Sequence, residues 1–209
     1  MNTSSNISQL QRYQELLNRI PKNKNILDLA CGNGWAGQLA LVQGANHVRF
    51  ADARLESFVQ PNGYTNYQQQ FIDLNFPQSL KPLLLDVEVI LYFGHLYHCN
   101  NHEEILDALV NSDCKDFFID TKVGLGTPHI DSDIPKIHWI DELVSDQDDA
   151  WHSTDSHVTI GAPNLSWILD YFNRNRLKVK FQKSIDAVNL RDGRAPYPHR
   201  IYVFHVTKQ

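Results

Sequence analysis

Residues 26 to 37, Ile-Leu-Asp-Leu-Ala-Cys-Gly-Asn-Gly-Trp-Ala-Gly, constrain the fold more than any other stretch. A short apolar run, a glycine turn and a second apolar segment predict a buried parallel strand feeding a helix of residues 35 to 43, closed by Gly44. Gly32 and Gly34 let the backbone turn with positive φ and let a ligand approach without meeting a Cβ. Gly37 permits close packing of helix on strand. The first N–H groups of a helix starting near Trp35 would face the ligand, where the dipole favours a carboxylate or phosphate. The same glycines satisfy G-x-G-x-x-G, so a dinucleotide site is one candidate. Asp28, four residues before the first glycine, points elsewhere: it would repel a diphosphate and hold an ammonium group.

The 209 residues, 42% of them hydrophobic, suit one compact domain with a full core. A net charge of −5 argues against a broad phosphate-binding surface, which needs clustered Lys and Arg. Three cysteines, at 31, 99 and 114, make neither a disulfide framework nor a C-x-x-C zinc motif. Residues 1 to 8 lack the apolar core of a signal peptide, and no apolar run approaches membrane-spanning length. A soluble, cytoplasmic protein without a membrane or metal partner is expected.

Further elements follow from periodicity. Residues 7 to 20 place Ile7, Leu10, Leu17 and Ile20 on one face of a leading helix. Strands are expected at 47–51, ending in Asp52, at 67–72, ending in Asp73 and Leu74, and at 87–93, with a short helix at 54–59 that Asp52 could equally cap. A helix from about Asn101 to Val110 and a strand at 117–120 come next. Pro163 opens a helix to residue 174, since proline is favoured in a first turn. Strands 177–185 and 200–207 are joined by so short a loop that they must run antiparallel.

An acid, a short spacer and G-x-G resemble motif I of the class I S-adenosylmethionine (SAM)-dependent methyltransferases, and the resemblance continues at the expected intervals. It implies an α/β Rossmann-like sheet of seven strands, order 3-2-1-4-5-7-6, with strand 7 antiparallel and helices on both faces. SAM would lie across the carboxyl ends of strands 1, 2 and 4, held by Asp28, Cys31, Gly32 and Gly34, with Phe93 beside it. Asp52 would accept from both ribose hydroxyls, Asp73 from the adenine amino group, and Ala53 and Leu74 would pack the ring. Residues 93 to 98, Phe-Gly-His-Leu-Tyr-His, are similar to the segment after strand four in a subset that includes the tRNA wobble-uridine carboxymethyltransferases. His95, Tyr97 and His98 are thereby the reachable candidates for proton transfer, although His98 could as well cap the next helix.

Residues 122 to 162 form an excursion of about forty residues, longer than ordinary connections and of the kind that forms lids. Residues 131 to 157 carry eight acids against one base, Lys136, which would repel a phosphate backbone. Trp139 and Trp151 from this excursion, with Arg194 and Arg200 from the loop before the last strand, are expected to wall a pocket for a small-molecule acceptor. Transfer to tRNA stays open as an alternative, as does an NAD-dependent oxidoreductase or a non-catalytic subunit of the same fold.

Overall fold

The computed structural model describes residues 15–123, 133–143, 157–187 and 199–209. A seven-stranded sheet of order β3-β2-β1-β4-β5-β9-β8 forms its centre. The strands are β1 (Asn25–Leu29), β2 (His47–Asp52), β3 (Tyr67–Phe71), β4 (Val89–Tyr92), β5 (Asp116–Val123), β8 (Leu177–Ala187) and β9 (His199–Lys208). The first five pair in parallel, and β9 runs antiparallel to both β5 and β8. Order and orientation match the expected architecture. The last two strands carry the numbers 8 and 9 because the excursion adds two of its own, β6 (Ile137–Leu143) and β7 (His157–Pro163), paired as a separate antiparallel ribbon.

Alternation along the central strands sends side chains to two apolar layers, as the period-two pleat requires. Val89 and Leu91 of β4 join Phe50, Ala36, Ala40 and Leu41 on the face covered by α1 (Trp35–Val42). Ile90 and Tyr92 join the opposite layer, covered by the 3-10 segment Pro77–Leu84, α2 (His102–Val110) and α3 (Leu165–Arg174). Leu16, Leu17 and Ile20 of the leading segment close the α1 layer. Residues 7 to 14 of the expected leading helix lie outside the described residues.

Several boundaries differ from the sequence expectation. The short helix at 54–59 is only a 3-10 turn, Leu55–Ser57. The excursion expected from residue 122 begins later, because β5 runs through Lys122 to Val123, where pairing with β9 prolongs it. Pro163 ends β7 rather than opening a helix, and the N-cap of α3 is Asn164, whose side-chain oxygen accepts from Trp167 N–H at 2.9 Å. Among the described residues no helix is long and apolar enough to cross a membrane, and no group of three or more His, Cys, Asp or Glu could hold a metal ion.

Candidate functional site

The site is built at the carboxyl ends of β1, β2 and β4. After β1 the chain passes through three positive-φ residues, Ala30 at 53°, Gly32 at 53° and Gly34 at 81°, before α1 begins. This reversal is held by Cys31 N–H on Ala51 C=O (3.2 Å) and Gly34 N–H on Cys31 C=O (2.8 Å). Gly34 is the N-cap of α1, which has no side-chain cap and no acid in its first turn, so the positive end of the helix lies at the carboxyl end of β1 without an acid of its own. Nothing lies within 4 Å of where a Cβ at Gly32 would stand. The backbone there is open to a ligand.

Asp28 sits below the turn rather than on its surface. It is 2% exposed, and its Oδ2 accepts from Gly37 N–H at 2.8 Å. Burial pushes its carboxyl up to about 8, against the pull of the Gly37 N–H and with a further push from the charge of Asp52. Asp52, at the end of β2, is also buried; Oδ2 accepts from Gly32 N–H and Oδ1 from Arg54 N–H, both at 2.8 Å. Two buried carboxyls therefore flank one glycine turn, and the Arg54 guanidinium stands 3.8 Å from Asp52 Oδ1. Cys31 is buried at the same place, its thiol pushed far up by burial and by both acids.

The remaining candidate residues lie at the adjoining strand ends. Ala53 is half-buried after Asp52. Asp73 is half-buried and closes its own turn, Oδ1 accepting from Asn75 N–H at 2.9 Å, while Leu74 is buried beside Ala51 and Ile72. Phe93 follows β4 on the α1 face and stacks on Trp35, ring centres 5.9 Å apart.

Beyond Phe93 the chain turns at Gly94, φ 74°, whose N–H is held by Asp120 of β5. Leu96–His98 form a 3-10 turn instead of a loop. Tyr97 and His98 lie ring against ring at 4.0 Å, and Lys122 Nζ stands 4.5 Å above the Tyr97 ring. Tyr97, His98 and Lys122 thus share one corner. His95 turns to a different set of partners, Tyr92 and Cys99.

The β6–β7 ribbon is fastened over this corner. Gly161 N–H donates to Cys99 C=O at 2.8 Å, and His102 Nε2 donates to Gly161 C=O at 2.6 Å. His102 is buried, and burial lowers its proton affinity, which keeps the ring neutral. Trp139 meets His102 edge-on at 6.1 Å and is 55% exposed, so it covers the start of α2. Trp151 and Arg194 lie outside the described residues; Arg200 is placed by its backbone on β9, opposite Val123 and Asp186. His102, Gly161, Asp120, Tyr92 and Cys99 were not singled out from the sequence. The contacts of Asp120 with Gly94 and of His102 with Gly161 span 26 and 59 residues and leave no local signature, whereas Tyr92 and Cys99 meet His95 from only three and four residues away.

His102→Ala is expected to cost about 2 kcal/mol, because it leaves the Gly161 carbonyl without its donor and opens a cavity under the ribbon. Limited proteolysis should then cut within the ribbon first. A ribbon as resistant as in the unaltered chain would show that the Gly161 contact is incidental.

No family model matches the chain, and no curated protein matches it in sequence. Solved structures do match in three dimensions. A protein from Listeria monocytogenes assigned as an S-adenosylmethionine-dependent methyltransferase superposes with a TM-score of 0.63 at 14% identity, over 96% of this chain and 99% of that one. The N-terminal domain of EvdMO1, crystallised with S-adenosylhomocysteine (SAH) bound, gives 0.64 at 14% identity, over 95% and 79%. An S-adenosylmethionine-dependent methyltransferase from Mesorhizobium loti gives 0.60 at 11%, over 92% and 97%. The chain therefore has the Rossmann-like fold of the SAM-dependent methyltransferases, with the reversed last strand.

Proposed function

We propose that the chain binds SAM at the ends of β1, β2 and β4 and transfers its methyl group to a compact acceptor. The observation that carries this is the pair of buried carboxyls, Asp28 and Asp52, set beneath and beside an open glycine turn. An ammonium group brought to the turn would draw Asp28 into its carboxylate form and be held by both acids, whereas a diphosphate would keep Asp28 neutral and meet the charge of Asp52. When bound, SAM supplies an electrophilic methyl on a sulfonium that leaves as a neutral thioether. The protein's task is then to position, an effect that can supply roughly 7 to 11 kcal/mol of such a barrier.

Each residue has a definite part. Gly32 would offer open space to the donor's amino-acid end with Cys31 packed beneath it, whereas Gly34, expected from the sequence to admit the ligand too, is closed by Phe58, 2.6 Å from where its Cβ would stand, and serves to shape the turn. Each Asp52 oxygen, after accepting one backbone N–H, retains a lone pair for a ribose hydroxyl. Asp73 would accept from the adenine amino group, with Ala53, Leu74 and Phe93 as apolar walls. His98 and Tyr97 stand where an acceptor proton could be taken up, and a base is needed only for an acceptor that has one to lose. The ribbon fastened over the Leu96–His98 turn would enclose a small acceptor, with Trp139 on its outer part. The net charge of −5 further favours a compact acceptor over a nucleic acid.

Incubation with methyl-labelled SAM and separated cell fractions tests the reading; label is expected in the small-molecule fraction. Label in tRNA or DNA would overturn the compact acceptor. The donor site is tested separately by melting with and without SAH. Asp52→Ala should shrink the SAH-induced shift, since a charge-assisted bond is worth about 1.5 to 3 kcal/mol. An unchanged shift would make Asp52 only a brace for Gly32 and Arg54.

A further inference from the structure

The two edges of the seven-stranded sheet are built differently. β8 carries Lys178, Lys180 and Lys183, and its register with β9 shifts between Val179 and Phe181. Charged side chains and bulges protect an exposed edge against pairing with another strand. β3, at the other edge, reads Tyr-Gln-Gln-Gln-Phe and pairs with β2 in unbroken register. From Gln60 to Ile72 there is neither an acid nor a base.

The backbone of β3 alternates between its two sides. Val48 N–H donates to Asn66 C=O at 3.1 Å, and Ile72 N–H donates to Asp52 C=O at 3.2 Å. The even-numbered residues therefore turn their N–H and C=O to β2, while Tyr67, Gln69 and Phe71 turn theirs outward. Among the described residues, none supplies a hydrogen-bond partner to those outward groups.

The strand is also its own complement. A second copy laid antiparallel about a two-fold axis at Gln69 sets Gln69 opposite Gln69, Tyr67 opposite Phe71 and Gln68 opposite Gln70. Every outward residue then meets an outward residue, and the three pairs exchange about six N–H···O=C bonds. A slip by one residue would set outward groups against inward ones, and a slip by two would leave the aromatic residues facing glutamine or the strand's flank. Tyr67 packs on the α1 face against Phe50 and Phe58, at 5.9 and 6.3 Å between ring centres. Phe71 shares that face by the period-two pleat and is 54% exposed. The pairing lays each exposed Phe71 beside the Tyr67 of the other copy, a stabilising cross-strand contact.

We propose that β3 is a homodimer interface, through which two copies join edge to edge about a two-fold axis and make one continuous sheet. A self-complementary patch is what a two-fold contact requires. Copies of a chain with a net charge of −5 meet on this stretch without bringing like charges together. The pairing is independent of what the site binds.

Sedimentation velocity of the full chain at rising concentration tests it, with monomer expected to give way to dimer. Two double variants read the register. Gln68→Lys with Gln70→Lys sets like charges opposite one another across the axis and should raise the dissociation constant roughly tenfold or more. Gln68→Lys with Gln70→Glu alters the same positions but sets opposite charges face to face, and should keep or tighten the dimer. Gln68 is exposed and Gln70 half-buried, and thermal melts check that both variants fold. A chain that stays monomeric throughout, or a dimer that the two variants affect alike, overturns the proposal.

Should neither double variant fold, Gln69→Cys decides. Its Cα lies about 5.5 Å from its own copy across the axis, within reach of a disulfide. A mild oxidant should cross-link this variant into a covalent dimer and leave the unaltered protein, whose Cys31, Cys99 and Cys114 are buried, uncoupled. Absence of that covalent dimer would overturn the pairing.

Discussion

Gly37→Ala is expected to lower stability by about 3 kcal/mol, near the upper end of the usual cost of overpacking. A Cβ there would lie 2.3 Å from Phe50 Cε1 and 2.9 Å from Asp28 Oδ2. Neither neighbour can yield cheaply. Phe50 is wholly buried between Phe58, at 4.8 Å between ring centres, and Tyr67, at 5.9 Å. Asp28 is pinned by the N–H of the substituted residue itself. For a chain of this size the melting temperature should fall by roughly 6 to 12 °C. α1 would also be levered away from β1, so the SAH-induced shift should be lost with it. Gly32→Ala is the control: its Cβ meets nothing within 4 Å, and only the left-handed φ of 53° is paid for, about 1 kcal/mol. Thermal melts of the two variants in parallel decide the matter, and a larger loss at Gly32 would show that turn strain outweighs packing.

Donor binding near pH 7 should release a proton from Asp28. Its carboxyl is raised from 3.8 to about 8, chiefly by burial. Between those values the folded, ligand-free protein holds a proton that the unfolded chain has lost. Stability from this group is thus fully present below about 4 and falls as pH rises toward 8. A cation brought to the turn favours the carboxylate instead, so affinity should rise over the same window and the proton should leave. Asp28→Asn keeps an oxygen for Gly37 N–H but cannot ionise. It should flatten the pH dependence of melting between about pH 5 and 8 and weaken SAM binding roughly ten- to a hundredfold, the loss of one charge-assisted bond. Calorimetry in two buffers of different ionisation enthalpy reads the proton directly. Identical binding heats in both would mean that binding takes no proton from Asp28 and would overturn this expectation.

The parts of the fold governed by local rules were legible in the sequence. The β1–turn–α1 unit announced itself because positive φ demands glycine and a buried parallel strand demands an unbroken apolar run. The C-terminal pair was legible because a short connection forces antiparallel pairing. The ribbon was not, although Val158, Thr159 and Ile160 form a β-branched run that could have suggested a strand. Prolines, glycines and acids around it obscured the period, and its place is set by distant contacts from Gly161 to Cys99 and His102. Asn164 was overlooked beside Pro163, though an Asn before an apolar helical period is itself a start signal. Tyr92 counted as one more apolar strand residue. Its ring does serve the core, but nothing local announces that its hydroxyl meets His95 and Cys99.

Asn164 also closes the base of the ribbon like a clasp. Its Oδ1 accepts from Lys136 N–H at 3.1 Å as well as from Trp167, its Nδ2 donates to Ile134 C=O at 2.8 Å, and its own N–H reaches Lys136 C=O at 2.9 Å. The start of β6 and the end of β7 are therefore joined to each other and to the first turn of α3 by one residue. Whatever lies beyond the clasp can lengthen, shorten or change its chemistry while the start of α3 and the seven-stranded sheet keep their places. The base of the ribbon is thus hung from the frame at one asparagine, so the seven-stranded sheet does not dictate the length of the segment that joins its two strands.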